Sequence, residues 1–352
     1  MHLSASAEQA WPPFVLVTGL LLIGLTAHRD GLFERAGQLV QGLAGPPPAL
    51  LAACLLLVAV VTAVLNLDTA VVFLTPVLVH AARGRGIEEE AFLYGTVYMA
   101  NASSLYLPGS NLTNLLVLAH QPISGGTFAV RMLAVALAAT LATMIGLFVL
   151  FRRRLRAVHG PARSPTHAGA LGLGLAGALA AAVLTVALRD PAIPVFAVGV
   201  ILTGTEVARG RLQPREIVRA VGPAVLITLF LLCVALGALA RSWSGPAQLL
   251  EGAGRWGTTG IGAVAAVTIN NLPAAVLLSA RTVAHPRALL LGLNVGPNLA
   301  ATGSLSALLW WRAARQLDAR PSFIAFSRWG SPLAIFALVV ALGVLTVLPS
   351  SL

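Results

Sequence analysis

The sequence predicts an all-α, polytopic membrane protein with two inverted repeats, each containing a re-entrant helical hairpin and a broken transmembrane helix. Hydrophobic residues make up 57% of the 352 positions, whereas only 23 residues are basic and 12 are acidic. A soluble surface of this size would need more charge. Several apolar segments have the length of a membrane-spanning helix, roughly 17–25 residues. Polar residues interrupt other apolar segments in two matching pairs.

The composition also excludes several classes of protein. All 23 basic residues are arginines, and they are not clustered with aromatic residues on a soluble module, so we expect no nucleic-acid partner. Cys54 and Cys233 lie far apart in apolar stretches, which makes a disulfide or thiolate metal site improbable. The sequence has no Walker motif, no Ser/His/Asp arrangement and no His/Cys metal spacing. We therefore predict that the protein is not an enzyme and uses no cofactor or metal.

The first predicted half covers residues 1–151. The apolar run at 14–27 is followed, not preceded, by an arginine, which is the wrong polarity for a cleaved signal peptide and indicates a retained helix. A short interfacial helix is expected within residues 29–48. The remaining elements are a hairpin at 49–83, a broken helix at 90–119 and a span at about 130–151.

The two interruptions in this half have different forms. In 49–83 the break is Asn66-Leu67-Asp68-Thr69. Each arm on its own is too short to cross the membrane readily, which favours a re-entrant hairpin. In 90–119 the break runs from Leu107 to Asn114 and indicates a single crossing helix that is unwound in its middle. Since lipid cannot satisfy exposed backbone groups, both breaks must be buried in protein or line a water-filled cavity.

A cytoplasmic linker at 152–168 is expected to join this half to the second, which covers 169–352. Its spans are predicted at about 169–188, 192–207, 217–240 and 328–348. The same pair of breaks then recurs in the same order. A hairpin at 256–283 has its tip at Asn270-Asn271, and a broken helix at 287–311 is interrupted between Asn294 and Ser304. This recurrence predicts an internal repeat.

The arginine distribution predicts the orientation. If neither hairpin crosses, seventeen arginines fall on one face and six on the other, which places the first face in the cytoplasm. The six are Arg131, Arg189, Arg241, Arg255, Arg281 and Arg287. The hairpins then open to opposite sides, so the halves are inverted and both termini lie outside the cytoplasm.

Inverted repeats with discontinuous helices are the architecture of secondary transporters, in which half-helix ends and unwound backbone bind the solute and ions. Hydroxyl and amide groups suit a small, oxygen-rich solute. Each such residue could equally be a simple helix N-cap. The candidate substrate-binding residues are Asn66, Thr69, Ser110, Asn111, Thr113, Asn114, Asn270, Asn271, Asn294, Thr302, Gly303 and Ser304.

Asp68 is the one acidic residue that this arrangement places at membrane depth. An ionisable group there is costly and is by default a functional hypothesis. We expect Asp68 to carry a coupled proton, and the alternative is a buried capping carboxylate at the hairpin tip.

Four stretches together resemble the arsenite/antimonite efflux permeases (the ArsB family) of the ion transporter superfamily, which also includes citrate and dicarboxylate carriers. They are NLDTAVVFLTP at 66–76, the Ser110-Asn111-Leu112-x-Asn114 core, Asn270-Asn271-Leu272-Pro273, and LNVGPNLAATGSLSALLW at 293–310. The resemblance implies a mobile hairpin-bearing domain and a static scaffold, often in a dimer. It also implies a chain shortened by about two N-terminal scaffold helices.

Three positions depart from the family's pattern. Asn294 and Asn298 stand where the typical arsenite pump has Asp and Lys, and Leu67 intervenes between Asn66 and Asp68, so the match to the family's Asn-Asp pair is approximate.

We therefore expect a secondary transporter in the cell's inner membrane that moves a small oxyanion or a neutral metalloid hydroxide. The resemblance favours arsenite or antimonite efflux coupled to protons. One alternative is a proton- or sodium-coupled carrier of citrate, dicarboxylate or another anion. The absence of a membrane-depth arginine to bind a carboxylate argues against it, although helix N-termini can replace such a residue. An alternative of another class is a non-transporting membrane protein that keeps the fold.

Overall fold

The computed structural model describes residues 2–43, 45–119, 123–156 and 172–347, and within these ranges the secondary structure is helical, with no strand. The all-α prediction is therefore confirmed. Most of the predicted linker at 152–168 lies outside the described residues.

The chain begins with two helices joined at a glycine. Helix α1 (His2–Arg29) is longer than the predicted 14–27, because it also includes residues 2–13. Gly31 adopts the left-handed conformation, with φ 72°, and α2 (Leu32–Gly42) follows. This is the short helix expected within 29–48. It buries Phe33 and Gly37 against the hairpin that comes next.

The first hairpin consists of α3 (Pro47–Val64) and α4 (Leu67–Gly84), and the predicted break at Asn66 separates them. The expectation of short arms is wrong: each arm has 18 residues, or about 27 Å at ~1.5 Å per residue. By length and composition either arm could cross a membrane. The two arms form a hairpin whose open ends lie together. Arg85, directly after α4, donates to the carbonyls of Gln41 (2.7 Å) and Gly45 (3.3 Å), just before α3.

The first broken helix follows at the predicted place. Helix α5 (Glu90–Ser103) ends before a 3-10 turn at Pro108–Ser110, and α6 (Leu112–Leu118) continues beyond it. Every residue of α5 from Ala91 to Ser103 is buried. Helix α7 (Gly125–Phe151) then forms a long apolar span with exposed side chains such as Val130, which is 72% accessible.

In the described residues, five helices lie between α7 and the second hairpin. They are α8 (Leu173–Ala187), α9 (Ala192–Ala208), α10 (Pro214–Val221), α11 (Pro223–Ser242) and α12 (Gly245–Glu251). The single span predicted at 217–240 is two helices, because left-handed Gly222 (φ 58°) separates α10 from α11. Helices α8, α9 and α11 pack around α1.

The second hairpin and broken helix have the same element order as the first. The hairpin comprises α13 (Arg255–Ile269) and α14 (Asn271–Ser279). The broken helix comprises α15 (Pro286–Val295), 3-10 turns at Gly296–Leu299 and Ala301–Gly303, and α16 (Leu305–Arg315). Helix α17 (Phe323–Val347) completes the described fold.

Contacts at the two ends of α17 locate the open ends of the hairpins. Arg83, at the end of α4, donates to the carbonyl of Leu317 (2.8 Å), shortly before α17 begins. Arg255, at the start of α13, donates to the carbonyl of Leu345 (2.9 Å), near the end of α17. The division into two inverted halves remains a prediction.

Six helical segments in the described part of the chain are long and apolar enough to cross a membrane. Their outward faces present large apolar side chains, including Leu141, Leu231 and Phe336. Such a surface is stable only against lipid or another apolar partner. The protein is therefore an integral membrane protein.

Candidate functional site

The two broken helices meet at Asn294, which is fully buried at the end of α15. Its Oδ1 accepts hydrogen bonds from Ser104 Oγ (2.6 Å) and Asn111 Nδ2 (2.8 Å). Its Nδ2 donates to Asn114 Oδ1 and to the carbonyl of Leu290, both at 2.8 Å. One side chain of the second broken helix thus binds three polar side chains of the first.

A second bridge joins the same two helices. Asn298, also fully buried, accepts a hydrogen bond from Asn101 Nδ2 (2.8 Å) and donates to the carbonyl of Tyr98 (3.0 Å). The Tyr98 hydroxyl in turn donates to the carbonyl of Phe326 in α17 (2.6 Å). We name Asn101, Ser104, Asn111, Asn114, Asn294 and Asn298 the amide cluster.

The N-cap interpretation is confirmed at three helix starts. Asn66 Oδ1 accepts from the amide of Thr69 (2.7 Å), Asn111 Oδ1 from that of Thr113 (3.0 Å), and Asn270 Oδ1 from that of Leu272 (3.3 Å). Capping uses only the oxygen of each carboxamide. The Nδ2 group of Asn111 belongs to the amide cluster. The fourth expected helix start, Ser304, has no side-chain cap bond and accepts from Ser306 Oγ (3.0 Å) instead.

Each hairpin tip contacts the unwound segment that follows it in the chain, and both contacts have the same form. Ser110 Oγ donates to the carbonyl of Ala63 (3.3 Å), three residues before Asn66. Thr302 Oγ1 donates to the carbonyl of Val267 (2.8 Å), three residues before Asn270. In both cases, therefore, a side-chain hydroxyl of the unwound segment donates to a carbonyl in the last turn of the hairpin's first arm.

Several buried polar atoms have no hydrogen-bond partner in the described residues. They include Asn66 Nδ2 and Thr69 Oγ1 at the first hairpin tip, and Asn101 Oδ1 and Thr113 Oγ1 in the first broken helix. Buried polar groups are nearly always paired, so an unpaired group needs an explanation such as a ligand. All four residues are at most 3% accessible.

Asp68 is the second residue of α4, one position before Thr69. Its side chain is partly accessible, and in the described part of the chain its carboxylate has neither a hydrogen bond nor an ion pair. The capping role at this tip belongs to Asn66 instead. A carboxylate beside a helix N-terminus is favoured by the helix dipole.

The structure does not bring every predicted site residue together. Thr302 is exposed, and Asn270 donates to its carbonyl (3.2 Å). Asn270 also has positive φ (73°) with extended ψ (149°), a strained conformation for a residue other than glycine. Gly303 lies against Pro297, where an added Cβ would be 2.5 Å from the backbone. Asn271 is buried in the first turn of α14.

Sequence reasoning missed Asn101 and Ser104 as site residues, and it treated Asn298 only as a departure from a family pattern. Asn101 and Ser104 precede the break at Leu107, where α5 is still helical or just ending. The available signal was a carboxamide, that of Asn101, within a long, mainly apolar arm.

The amide cluster is uncharged, since none of its hydrogen bonds involves an ionised side chain in the described residues. Such groups can replace the hydration of a small polyhydroxy or oxyanion solute without adding net charge. Two hairpins, two broken helices and a polar cluster where the broken helices cross are typical of membrane transporters.

The chain belongs to the citrate transporter (CitMHS) family, whose family model matches residues 3–314.

Curated relatives are arsenical pump membrane proteins. Those of Escherichia coli strain K12 and Shigella flexneri are each 26% identical over 373 residues, covering 95% of this chain and 86% of the relative. That of Yersinia enterocolitica is 26% identical over 369 residues, with the same coverage. The predicted resemblance to the arsenite permeases is confirmed, and the chain is an ion or anion transporter of this type.

A solved structure also shares the fold. The YdaH transporter of Alcanivorax borkumensis, described as having an unusual topology, aligns with a TM-score of 0.61. The alignment covers 99% of this chain and 87% of that one, at 15% identity. At this identity the likeness concerns the fold alone.

Proposed function

We propose that this protein exports arsenite or antimonite from the cytoplasm across the cell's inner membrane, in exchange for protons. The observation that carries the proposal is the buried, uncharged amide cluster where the two broken helices cross. A neutral metalloid hydroxide offers donors and acceptors to carboxamides without requiring a charged counter-group. The curated relatives named arsenical pumps support the same substrate class.

The first hairpin tip is the proposed place of substrate entry into the site. Asn66 Nδ2 and Thr69 Oγ1 are buried polar atoms without a protein partner in the described residues. Ser110 links this tip to the unwound segment that leads to the amide cluster. Substrate hydroxyls would satisfy these atoms.

Asp68 is the proposed proton carrier. It is adjacent to Thr69, and no described basic side chain pairs with it. Protonation would remove the charge from a group at membrane depth and so allow the hairpin to move. Sodium as the coupling ion is the alternative.

We infer that the two halves are inverted repeats whose hairpins open to opposite faces. The contacts of Arg83 and Arg255 at opposite ends of α17 support this arrangement. With the arginine distribution, the first hairpin then opens to the cytoplasm, and both termini lie outside it. The expected homodimer remains a prediction.

The proposal is tested with purified protein in proteoliposomes that have an acidic lumen. Molecules with their cytoplasmic face outward should accumulate arsenite as protons leave. Thr69→Val removes a buried, unpaired hydroxyl, so it should leave folding intact or slightly improved. Losing one hydrogen bond to the substrate should slow transport about threefold to tenfold. The matched control is Thr75→Val in the same helix, whose buried hydroxyl donates only to the carbonyl of Val71 (2.6 Å).

Asp68→Asn should still exchange arsenite across the membrane but should no longer accumulate it against a gradient. Undiminished accumulation in this variant would exclude Asp68 as the proton carrier, and dependence on added sodium would point to the other coupling ion. Citrate and succinate are assayed in the same liposomes, because the family description names citrate. Accumulation of citrate without arsenite would replace the proposal with the carboxylate carrier, and transport of neither would favour a non-transporting protein.

A further inference from the structure

A cavity of about 270 Å³ lies beside the end of α17, where Arg255 contacts that helix, whereas the open end of the first hairpin lies near the beginning of α17. It is bounded by the end of α6, the first turns of α7, α13 and α15, and the end of α17. The lining includes three arginines on three different helices, Arg131, Arg255 and Arg287, together with His285. No carboxylate is among the described residues that line it.

Arg255 is held in place by the end of α17. Its Nη1 donates to the carbonyls of Leu345 (2.9 Å) and Thr346 (3.3 Å). These are last-turn carbonyls, which carry the negative end of the helix dipole. The guanidinium is thus oriented by main-chain groups that do not cancel its charge.

Two helix N-termini add to the positive potential. Arg255 is the first residue of α13, and Pro286 is the first residue of α15, whose N-cap His285 makes no side-chain cap bond. Backbone N–H groups in the first turn of a helix have no partner within that helix and favour an anion. They accompany the three guanidinium groups and do not by themselves define the site.

The three positively charged guanidinium groups repel one another in a shared cavity. All three are partly buried, so water screens the repulsion incompletely. A bound anion would remove that repulsion. Guanidinium groups bind phosphate through paired, charge-assisted hydrogen bonds.

The rest of the lining is apolar. Phe128, Met132 and Leu345 are among these residues. Close by, α7 presents Val130 (72% accessible) and α13 presents Trp256 (54% accessible). An exposed tryptophan beside an apolar helix face is typical of the depth of lipid headgroups.

The geometry points to a binding site for a phosphate group in this cavity, either that of an anionic phospholipid headgroup or that of a free phosphate ion. The site is separate from the amide cluster. It is connected to that cluster through α15, because Leu290 lines the cavity and its carbonyl accepts from Asn294 (2.8 Å).

Two measurements on the purified full chain distinguish the sources. Inorganic phosphate is titrated by calorimetry in a neutral detergent, and retention of phosphatidylglycerol is measured by native mass spectrometry against phosphatidylcholine. Arg131→Gln and Arg287→Gln should each weaken binding about tenfold, the equivalent of one charge-assisted hydrogen bond. The control is Arg281→Gln, an exposed arginine on the same predicted face that does not line the cavity.

Phosphate binding that the two variants lose and the control keeps would assign a solute site, and the same pattern with phosphatidylglycerol would assign a lipid site. If the wild-type protein binds neither, or if the two variants bind as the wild type does, the inference is wrong. Should Arg131→Gln fail to fold, Arg131→Lys takes its place. It keeps the charge but lacks the planar fork, so binding should weaken less than with Gln. Unchanged binding in both Arg131→Lys and Arg287→Gln would also refute the site.

Discussion

Replacing Asn294 by leucine should weaken the contact between the two broken helices and so lower the free energy of unfolding. The substitution nearly conserves volume but removes all four hydrogen bonds of the side chain. Ser104 keeps a partner, because its hydroxyl also donates to the carbonyl of Asn101 (2.8 Å). Asn111 Nδ2 and Asn114 Oδ1 have no other partner in the described residues, so two buried polar atoms are left unpaired.

The magnitude follows from these two atoms. An unpaired buried group costs about 1–3 kcal/mol, which gives roughly 2–6 kcal/mol for the pair. Inter-helix hydrogen bonds in membrane proteins average only ~0.6 kcal/mol, with a maximum near 1.7, because helices unfolded within the membrane also find partners. Asn294 and Asn114 are fully buried and Asn111 is 5% accessible. We therefore expect a loss of about 2–4 kcal/mol.

The assay is reversible unfolding in mixed micelles of mild detergent and dodecyl sulfate. The matched control is Thr96→Val, a fully buried, nearly isosteric change whose hydroxyl donates only to the carbonyl of Phe92 in its own helix (2.8 Å). The double variant of Asn294→Leu with Asn111→Ala should lose less stability than the two single losses added together, because both remove the same contact. If Asn294→Leu resembles Thr96→Val, or if the two losses simply add, the amide cluster does not join the halves.

Three further outcomes are expected. Asn270→Gly relieves a strained backbone but removes an N-cap and the hydrogen bond to Thr302, so the free energy of unfolding should change by less than ~1 kcal/mol. Asn270→Ala removes the same bonds and keeps the strain, so it should lose about 1–3 kcal/mol. Equal losses in the two variants would show that the backbone of Asn270 is not strained. Asp30→Ala should cost about 0.5–2 kcal/mol in the same assay, because the Asp30 carboxylate, in the turn between α1 and α2, accepts from the amide of Gly174 at the start of α8 (2.6 Å). Single cysteines at exposed Glu88 and Thr282, in a chain without its native cysteines, should be labelled from opposite sides of the membrane. Labelling from one side would disprove the opposite opening of the hairpins.

The paired polar breaks in the sequence predict most of the fold. The breaks at Asn66 and Asn270 were both predicted, and each separates two helices. Lipid forbids unpaired backbone groups, so a polar interruption in an apolar segment has few possible structures. The arms of the first hairpin were predicted too short, and the break between α10 and α11 at Gly222 was not predicted. Helix ends and kinks depend on local geometry that composition does not record.

Part of the candidate site was also visible in advance. Ser110, Asn111 and Asn114 were predicted from the break alone. Asn294, the partner of Asn111 and Asn114, was predicted as well, but its contacts with them were not. The capping geometry of Asn66 shows why single residues mislead: one carboxamide oxygen satisfies a helix start while its nitrogen remains available for another role.

By itself the sequence determined that the chain is helical, that it resides in a membrane and that its polar breaks come in pairs. All three properties follow from the positions at which polar residues interrupt apolar segments. Only the tertiary structure decided which of those groups meet. Asn111 and Asn294 are far apart in sequence but 2.8 Å apart in space, whereas Thr302 belongs to the same pattern and is exposed. Neighbours of this kind are set by how the helices cross, and crossing depends on side-chain packing along every element at once.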